Sequence, residues 1–261
     1  MNTLKSMVWV ELKKASRSVM PLSTAIIILF IPLACGLMML IYKDPVFARE
    51  AGIISVKAHW MGGTADWPSY MNMLSLAVGI AGMLLFSLVQ TWIFGREFMD
   101  KTMKDLMAVP VNRSIIVLAK FIVSLIWSVG LTLEMYLVSM LVGALIGLPG
   151  GTSNVLIDGS ITILITAILV MGVVTPAAYF ASIGRGYFPG FGFAIISLAI
   201  ANILALMGWG HLFPWSIPLL FADTAKRSTD IIPISYLIII FTAVLGVFMT
   251  IRWWLTADQH R

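Results

Sequence analysis

Six stretches of this chain are long and apolar enough to cross a lipid bilayer, and they leave little room for any other architecture. They cover residues 22–41, 71–94, 115–147, 161–183, 189–207 and 233–253. About 20 apolar residues in a helix match the ~30 Å hydrocarbon core of a bilayer. Inside that core each backbone N–H and C=O must find its partner within the protein, so each run is expected to be a helix. The predicted fold is all-α integral membrane, one transmembrane domain over 1–261, with no separate soluble domain. The chain is 60% hydrophobic and only 11% charged, with a mean hydropathy of +0.98. The third run exceeds what a bilayer needs, so it tilts or projects. The first run is too long for a signal-peptide core and no small-residue cleavage site follows it, so it reads as a retained span.

Six spans put both ends of the chain on one side. With the N-terminus inside, twelve of the 17 Lys and Arg fall on inner segments. The bias of Lys and Arg toward the cytoplasm then predicts that both termini are cytoplasmic. The net charge of +5 therefore reports orientation and does not imply a nucleic-acid partner. The single cysteine, Cys35, excludes an internal disulfide.

Residues 1–20 precede the first span and carry an amphipathic pattern over 3–18. Leu4, Met7, Val8, Leu12 and Ala15 share a face, with Lys5, Lys13, Lys14 and Arg17 around it and Trp9 suited to headgroup level. This predicts an interfacial helix on the inner leaflet. Residues 208–232 are apolar yet broken by Gly and Pro. They are expected to form short pieces dipping into the outer leaflet, a re-entrant segment before the sixth span. Small residues recur at Ser124-Ser128-Thr132, Ser139-Gly143-Gly147 and Ser197-Ala201-Ala205, a spacing that lets helices approach closely, within one chain or between two.

Between the second and third runs lies a dense charged segment, residues 95–111, reading Gly95-Arg-Glu-Phe-Met-Asp-Lys-Thr-Met-Lys-Asp-Leu-Met-Ala-Val-Pro110 and ending at Val111. Met103, Leu106 and Met107 fall at i, i+3, i+4, while Asp100, Lys101, Lys104 and Asp105 take the other faces. That is a short amphipathic helix, and Pro110 biases Val109 out of it. Held at both ends by spans, such a helix can pass force between the membrane and a cytoplasmic body.

Other candidates are few. Glu134 is the one acidic residue deep in a run. A carboxylate there either lines a substrate path or, protonated, shares a hydrogen bond with a neighbouring helix. Trp209, His211 and Trp215 cluster in the broken segment, where they either contact a ligand or, as the commoner role for such a His, serve the membrane interface structurally. His59, His211 and His260 have no metal-binding spacing, and no Ser/His/Asp set suggests catalysis. Pro176 is expected to kink the fourth span. No G-x-x-x-x-G-K-[ST] phosphate loop occurs, so any ATP is bound by another polypeptide.

The run from Gly95 to Ser114, followed by Ile116-Val-Leu-Ala-Lys-Phe121, resembles the coupling region of type 2 ABC transporter permeases. The amphipathic N-terminus, six spans and broken segment match that pattern over the whole chain. The Gly208-Trp-Gly…Phe-Pro-Trp-Ser-Ile-Pro218 stretch is similar to the bacitracin and lantibiotic-immunity permeases. The resemblance implies two permease chains and two ATPase chains, with ATP and Mg on the partner ATPase and no cofactor on this chain. It implies an ATPase-coupling surface at Arg96, Glu97, Asp100, Lys101, Thr102, Met103, Lys104, Asp105, Leu106 and Met107, with charged faces orienting the partner and Met103, Leu106 and Met107 filling its cleft. The expected function is the permease subunit of a bacterial exporter in the cytoplasmic membrane, moving peptide antibiotics or other amphipathic compounds. The alternative is an ATP-independent carrier or channel using Glu134. A membrane enzyme would need convergent polar groups that the runs do not supply.

Overall fold

The computed structural model describes residues 3–44, 63–223 and 231–256. His59, His260 and positions 224–230 of the broken segment lie outside the described residues. The spans begin where the sequence supplies helix starts. Asp66 accepts from Ser69 N–H ahead of Pro68, Asn112 accepts from Ser114 N–H, and Thr152 accepts from Val155 N–H.

Eleven α-helices are described. Helix α1 (Thr3–Ser16) precedes the first span, α2 (Met20–Lys43). The second span is α3 (Trp67–Ala77), a π-helical turn (Val78–Gly82) and α4 (Met83–Met99) end to end. Helix α5 (Met103–Ala108) is the short connector, and α6 (Arg113–Ile146) is the third span. The fourth span is α7 (Ser153–Val173) and α8 (Pro176–Ile183), divided where Pro176 has no N–H to donate. Helices α9 (Tyr187–Leu206) and α11 (Pro233–Thr256) are the fifth and sixth spans; between them lie a 3₁₀ turn (Gly210–Leu212) and α10 (Ile217–Ala222). Six helical units are thus long and apolar enough to span, as the sequence predicts. Helix α6 is the central post, packed by α1, α2, α4 and α11.

The charged segment differs from expectation. It is not one helix over 95–111. Helix α4 continues through Gly95-Arg96-Glu97-Phe98-Met99 and ends in a Schellman turn: Lys101 N–H donates to Phe98 O (3.3 Å), and Thr102 N–H to Glu97 O (3.0 Å). Lys101 occupies the left-handed position (φ 58°) that glycine usually fills. Only Met103–Ala108 forms the separate helix. The α8–α9 turn ends the same way, with Arg185 left-handed (φ 52°). The two turns adjoin, since a Cβ on Gly95 would stand 2.5 Å from Tyr187 N.

The small-residue stripes are used within the chain. Tyr70 Oη donates to Ser139 O (3.1 Å), and the Trp67 ring covers Gly143. Ser124 and Ser128 are buried beside α4 and α11, and Ser216 Oγ donates to Ala201 O (2.9 Å). That last bond shows how residues 210–222 run: back along α9 and into the bundle, until Leu219 lies against Gly79 in the π turn.

Candidate coupling site

Beneath the α4–α5 turn, five charged side chains from three helices meet. Glu11 and Lys14 come from α1, Arg96 and Glu97 from the last turns of α4, and Lys120 from the second turn of α6. Lys120 is fully buried. Its three ammonium protons have three acceptors: Glu97 Oε1 at 2.9 Å, Glu11 Oε2 at 3.1 Å and Ile93 O at 3.1 Å. Glu97 accepts from Lys14 at 3.1 Å on one oxygen, and from Thr102 Oγ at 2.6 Å on the other. Arg96 lies over the Trp92 ring and donates to Glu11 at 3.4 Å. Such a cluster is held by its completeness, because each buried charge without its partners is costly.

Glu97 thus ties together α1, α6 and the residue that begins α5. The start of α5 is thus bonded through Thr102 to Glu97, and through Glu97 to two other helices. Alongside lies a groove of about 700 Å³ between α1 (Met7, Val10) and α5 (Asp105, Leu106), with Lys14, Arg96 and Glu97 on its floor.

The ten expected coupling residues divide by this geometry. Asp100, Lys101, Thr102, Lys104 and Asp105 are exposed, and Met107 is half-buried. Arg96 and Glu97 point inward, because their charges are consumed within the chain. Met103 and Leu106, expected to fill a partner's cleft, are buried in this chain's own core instead. Leu12, expected on the apolar face of α1, is exposed; the buried face is Met7, Glu11 and Ala15.

The sequence reading missed Glu11 and Lys120. Glu11 falls at i+4 from Met7 and i−4 from Ala15, in the middle of the apolar face, and Lys120 stands alone among apolar neighbours. Each is a charge in an apolar setting, a signal that becomes specific only once the two are seen to meet.

The four expected substrate-path residues are not brought together. Trp209 is exposed ahead of the 3₁₀ turn, and His211 is half-buried with its carbonyl accepting from Ser235 Oγ (2.9 Å). Trp215 packs edge-on against Phe193 (5.3 Å). Glu134 is half-buried on α6, with no hydrogen bond or ion pair among the described residues.

The family described as "ABC-2 family transporter protein" matches residues 7–202, which takes in most of α1, the residues of the charge cluster and both Schellman turns. The bacitracin transport permease protein BCRB of Bacillus licheniformis is 28% identical over 181 residues, 69% of this chain and 87% of that protein. No solved structure matches the chain. With three quarters of its length matched, six spanning helices and a charged connector joined to a buried ion cluster, this chain belongs to the ABC-2 family of transporter membrane proteins.

Proposed function

We propose that this chain is the membrane-spanning permease subunit of an exporter driven by a separate ATPase, working with a second permease chain in a bacterial cytoplasmic membrane. Both termini and α5 face the cytoplasm, α1 lies along the inner leaflet, and the described part of the broken segment, residues 208–223, enters the outer one. ATP and Mg are held by the partner. The cargo is a peptide antibiotic or another amphipathic compound, a reading supported by the bacitracin transport named for its relative.

The observation that carries this reading is the junction at Thr102. The exposed charges of Lys101, Lys104 and Asp105 offer a partner an oriented surface, and the bond from Thr102 to Glu97 links that surface to α1, α4 and α6. A connector with an outward charged face and an inward ionic root suits the transmission of force. The groove between α1 and α5 extends the same surface.

The test is copurification from the native host with measurement of ATP hydrolysis. An ATPase subunit is expected to accompany the chain, and its hydrolysis to rise with peptide antibiotics such as bacitracin. Recovery of the chain without any ATPase would overturn the proposal. Glu134, with no hydrogen bond or ion pair among the described residues, supports a second reading, an ATP-independent carrier or channel. Transport by the purified chain alone in proteoliposomes under a proton gradient, lost in Glu134→Gln, would favour it.

A further inference from the structure

At the end of the bundle opposite the charge cluster, α3 and α7 begin side by side, and between their early turns lies a cleft of about 380 Å³. The two starts are fixed against each other. Trp67 N–H donates to Pro149 O (3.0 Å), and a Cβ on Gly159 would stand 2.6 Å from Met71 Cγ. Met71, Val155 and Ile161 give the cleft apolar walls. Asp158 is the one charged residue among the described residues that line it.

Asp158 is also the only charged residue in the sequence between Glu134 and Arg185. It is exposed, and it stands where α7 passes from a Gly- and Ser-rich loop into an apolar run, with Ile157 and Ile161 exposed on either side. Its carboxylate has no hydrogen bond or ion pair among the described residues, while its backbone carbonyl accepts from Thr162 Oγ at 2.8 Å. The neighbouring hydroxyls bring no donor to it. Ser75 Oγ spends its proton on Met71 O (2.9 Å), and Thr162 Oγ on that Asp158 carbonyl. Lys43, the described cation at this end, donates to Ile146 O (2.9 Å). A carboxylate at the rim of an apolar recess gains more from a cation than one in open water, because the effective dielectric is lower. The cleft therefore supplies negative charge and apolar wall, and leaves positive charge to its occupant.

We infer that this cleft is a binding site for the protonated amine at the head of an amphipathic molecule, with the Asp158 carboxylate accepting from the ammonium and the alkyl chain lying along the exposed Ile157 and Ile161. The ligand chemistry is a primary ammonium joined to a hydrocarbon tail. Its source is either an aminolipid of the bilayer or a free cationic amphiphile. The site goes beyond the transport reading, and binding there needs no ATPase.

The experiment uses the full chain in nanodiscs of phosphatidylcholine, whose quaternary headgroup has no N–H to donate. Two photoreactive alkyl probes of equal length are compared, one a primary ammonium and the other an alcohol. Labelled peptides are mapped by mass spectrometry, and labelling of the α3 and α7 starts is divided by that of α11. The ammonium is expected to exceed the alcohol in that ratio by roughly three- to tenfold, between what an exposed ion pair and a buried charged hydrogen bond supply. Asp158→Asn is expected to abolish the preference while leaving the alcohol's labelling in place, and Asp158→Glu to retain it. Asp158 is exposed, so neither change is expected to disturb folding. Asn154→Asp combined with Asp158→Asn restores the net charge one turn away, on an exposed residue outside the cleft, and is expected not to restore the preference. Adding phosphatidylethanolamine to the bilayer separates the sources: reduced ammonium labelling identifies an aminolipid as the occupant, and unreduced labelling identifies a free amphiphile. Equal labelling by the two probes, a preference that survives Asp158→Asn, or its recovery in the Asn154→Asp, Asp158→Asn double variant would each overturn the inference. Failure here leaves the transport reading intact, and loss of the ATPase partner would leave the labelling unchanged.

Discussion

Lys120 Nζ lies 2.9 Å from Glu97 Oε1, with both side chains removed from solvent, and this pair joins the third span to the end of the second. Around it the cluster holds three cations, Lys14, Arg96 and Lys120, and two carboxylates, Glu11 and Glu97. Removing one charge therefore has an effect that depends on its sign. Glu97→Gln leaves three cations facing Glu11 alone, whereas Lys120→Met leaves two cations facing two carboxylates. Breaking a buried pair costs roughly 3–5 kcal/mol. Glu97→Gln is expected at the top of that range and Lys120→Met at the bottom, in unfolding followed in detergent micelles. The reverse order would mean that packing around Lys120, not charge balance, dominates the cluster.

Lys101 predicts a different kind of stability change. It sits left-handed at φ 58° and closes the Schellman turn. A left-handed conformation costs a non-glycine residue on the order of 1–2 kcal/mol. Lys101→Gly relieves that strain and loses part of the gain to the greater freedom of the unfolded chain. A net stabilisation of up to about 1 kcal/mol is expected. Lys101→Ile, whose branched Cβ opposes the same conformation, is expected to destabilise by about 1–2 kcal/mol. Matched unfolding curves for the two variants decide the point; a stable Lys101→Ile would show that the turn is not held in this conformation.

The turn also marks where sequence reading reached its limit. Six spans were legible because a run of about 20 apolar residues has one common fate in a bilayer. The break at Pro176 was legible because proline removes a donor wherever it stands. The split of the charged segment was not, because the residue that makes it is a lysine in a glycine's position, and composition carries no sign of a positive φ. The charge cluster was hidden for another reason. Glu11 and Lys120 lie 109 residues apart, and neither is informative until α1 packs along α6. Lys120 alone reads as a marker of orientation, and Glu11 alone as one acid in a basic helix. The site is a product of tertiary packing, so local periodicity could find its exposed half, Lys101 to Asp105, but not its root.

Gly95 is the point at which α4 meets the α8–α9 turn. A Cβ there would stand 2.5 Å from Tyr187 N and 2.6 Å from Gly186 C, both backbone atoms that cannot rotate away. Gly95→Ala is expected to push the two turns apart and to destabilise by roughly 1–3 kcal/mol, the usual cost of overpacking. Helix propensity would favour the alanine by about 1 kcal/mol, which makes the sign of the result diagnostic. A gain in thermal stability would place α9 farther from α4 than the structure does.

The exposed half of the connector should behave in the opposite way to its root. Lys104 and Asp105 are both exposed on α5, so the exchange Lys104→Glu with Asp105→Lys is expected to leave folding stability within about 0.5 kcal/mol. It conserves net charge and helix length while inverting the local charge order offered to a partner. If α5 is the surface that an ATPase recognises, the exchange lowers the yield of copurified ATPase, and the loss is greatest at low ionic strength, where exposed charges act over the longest range. Raising the salt toward about 1 M, where the screening length falls to ~3 Å, should bring the two proteins together in yield by weakening the native complex. The measurement is the ratio of ATPase to permease recovered across a salt series, with thermal unfolding as the control for folding. An unchanged ratio at every salt concentration would remove Lys104 and Asp105 from the coupling surface.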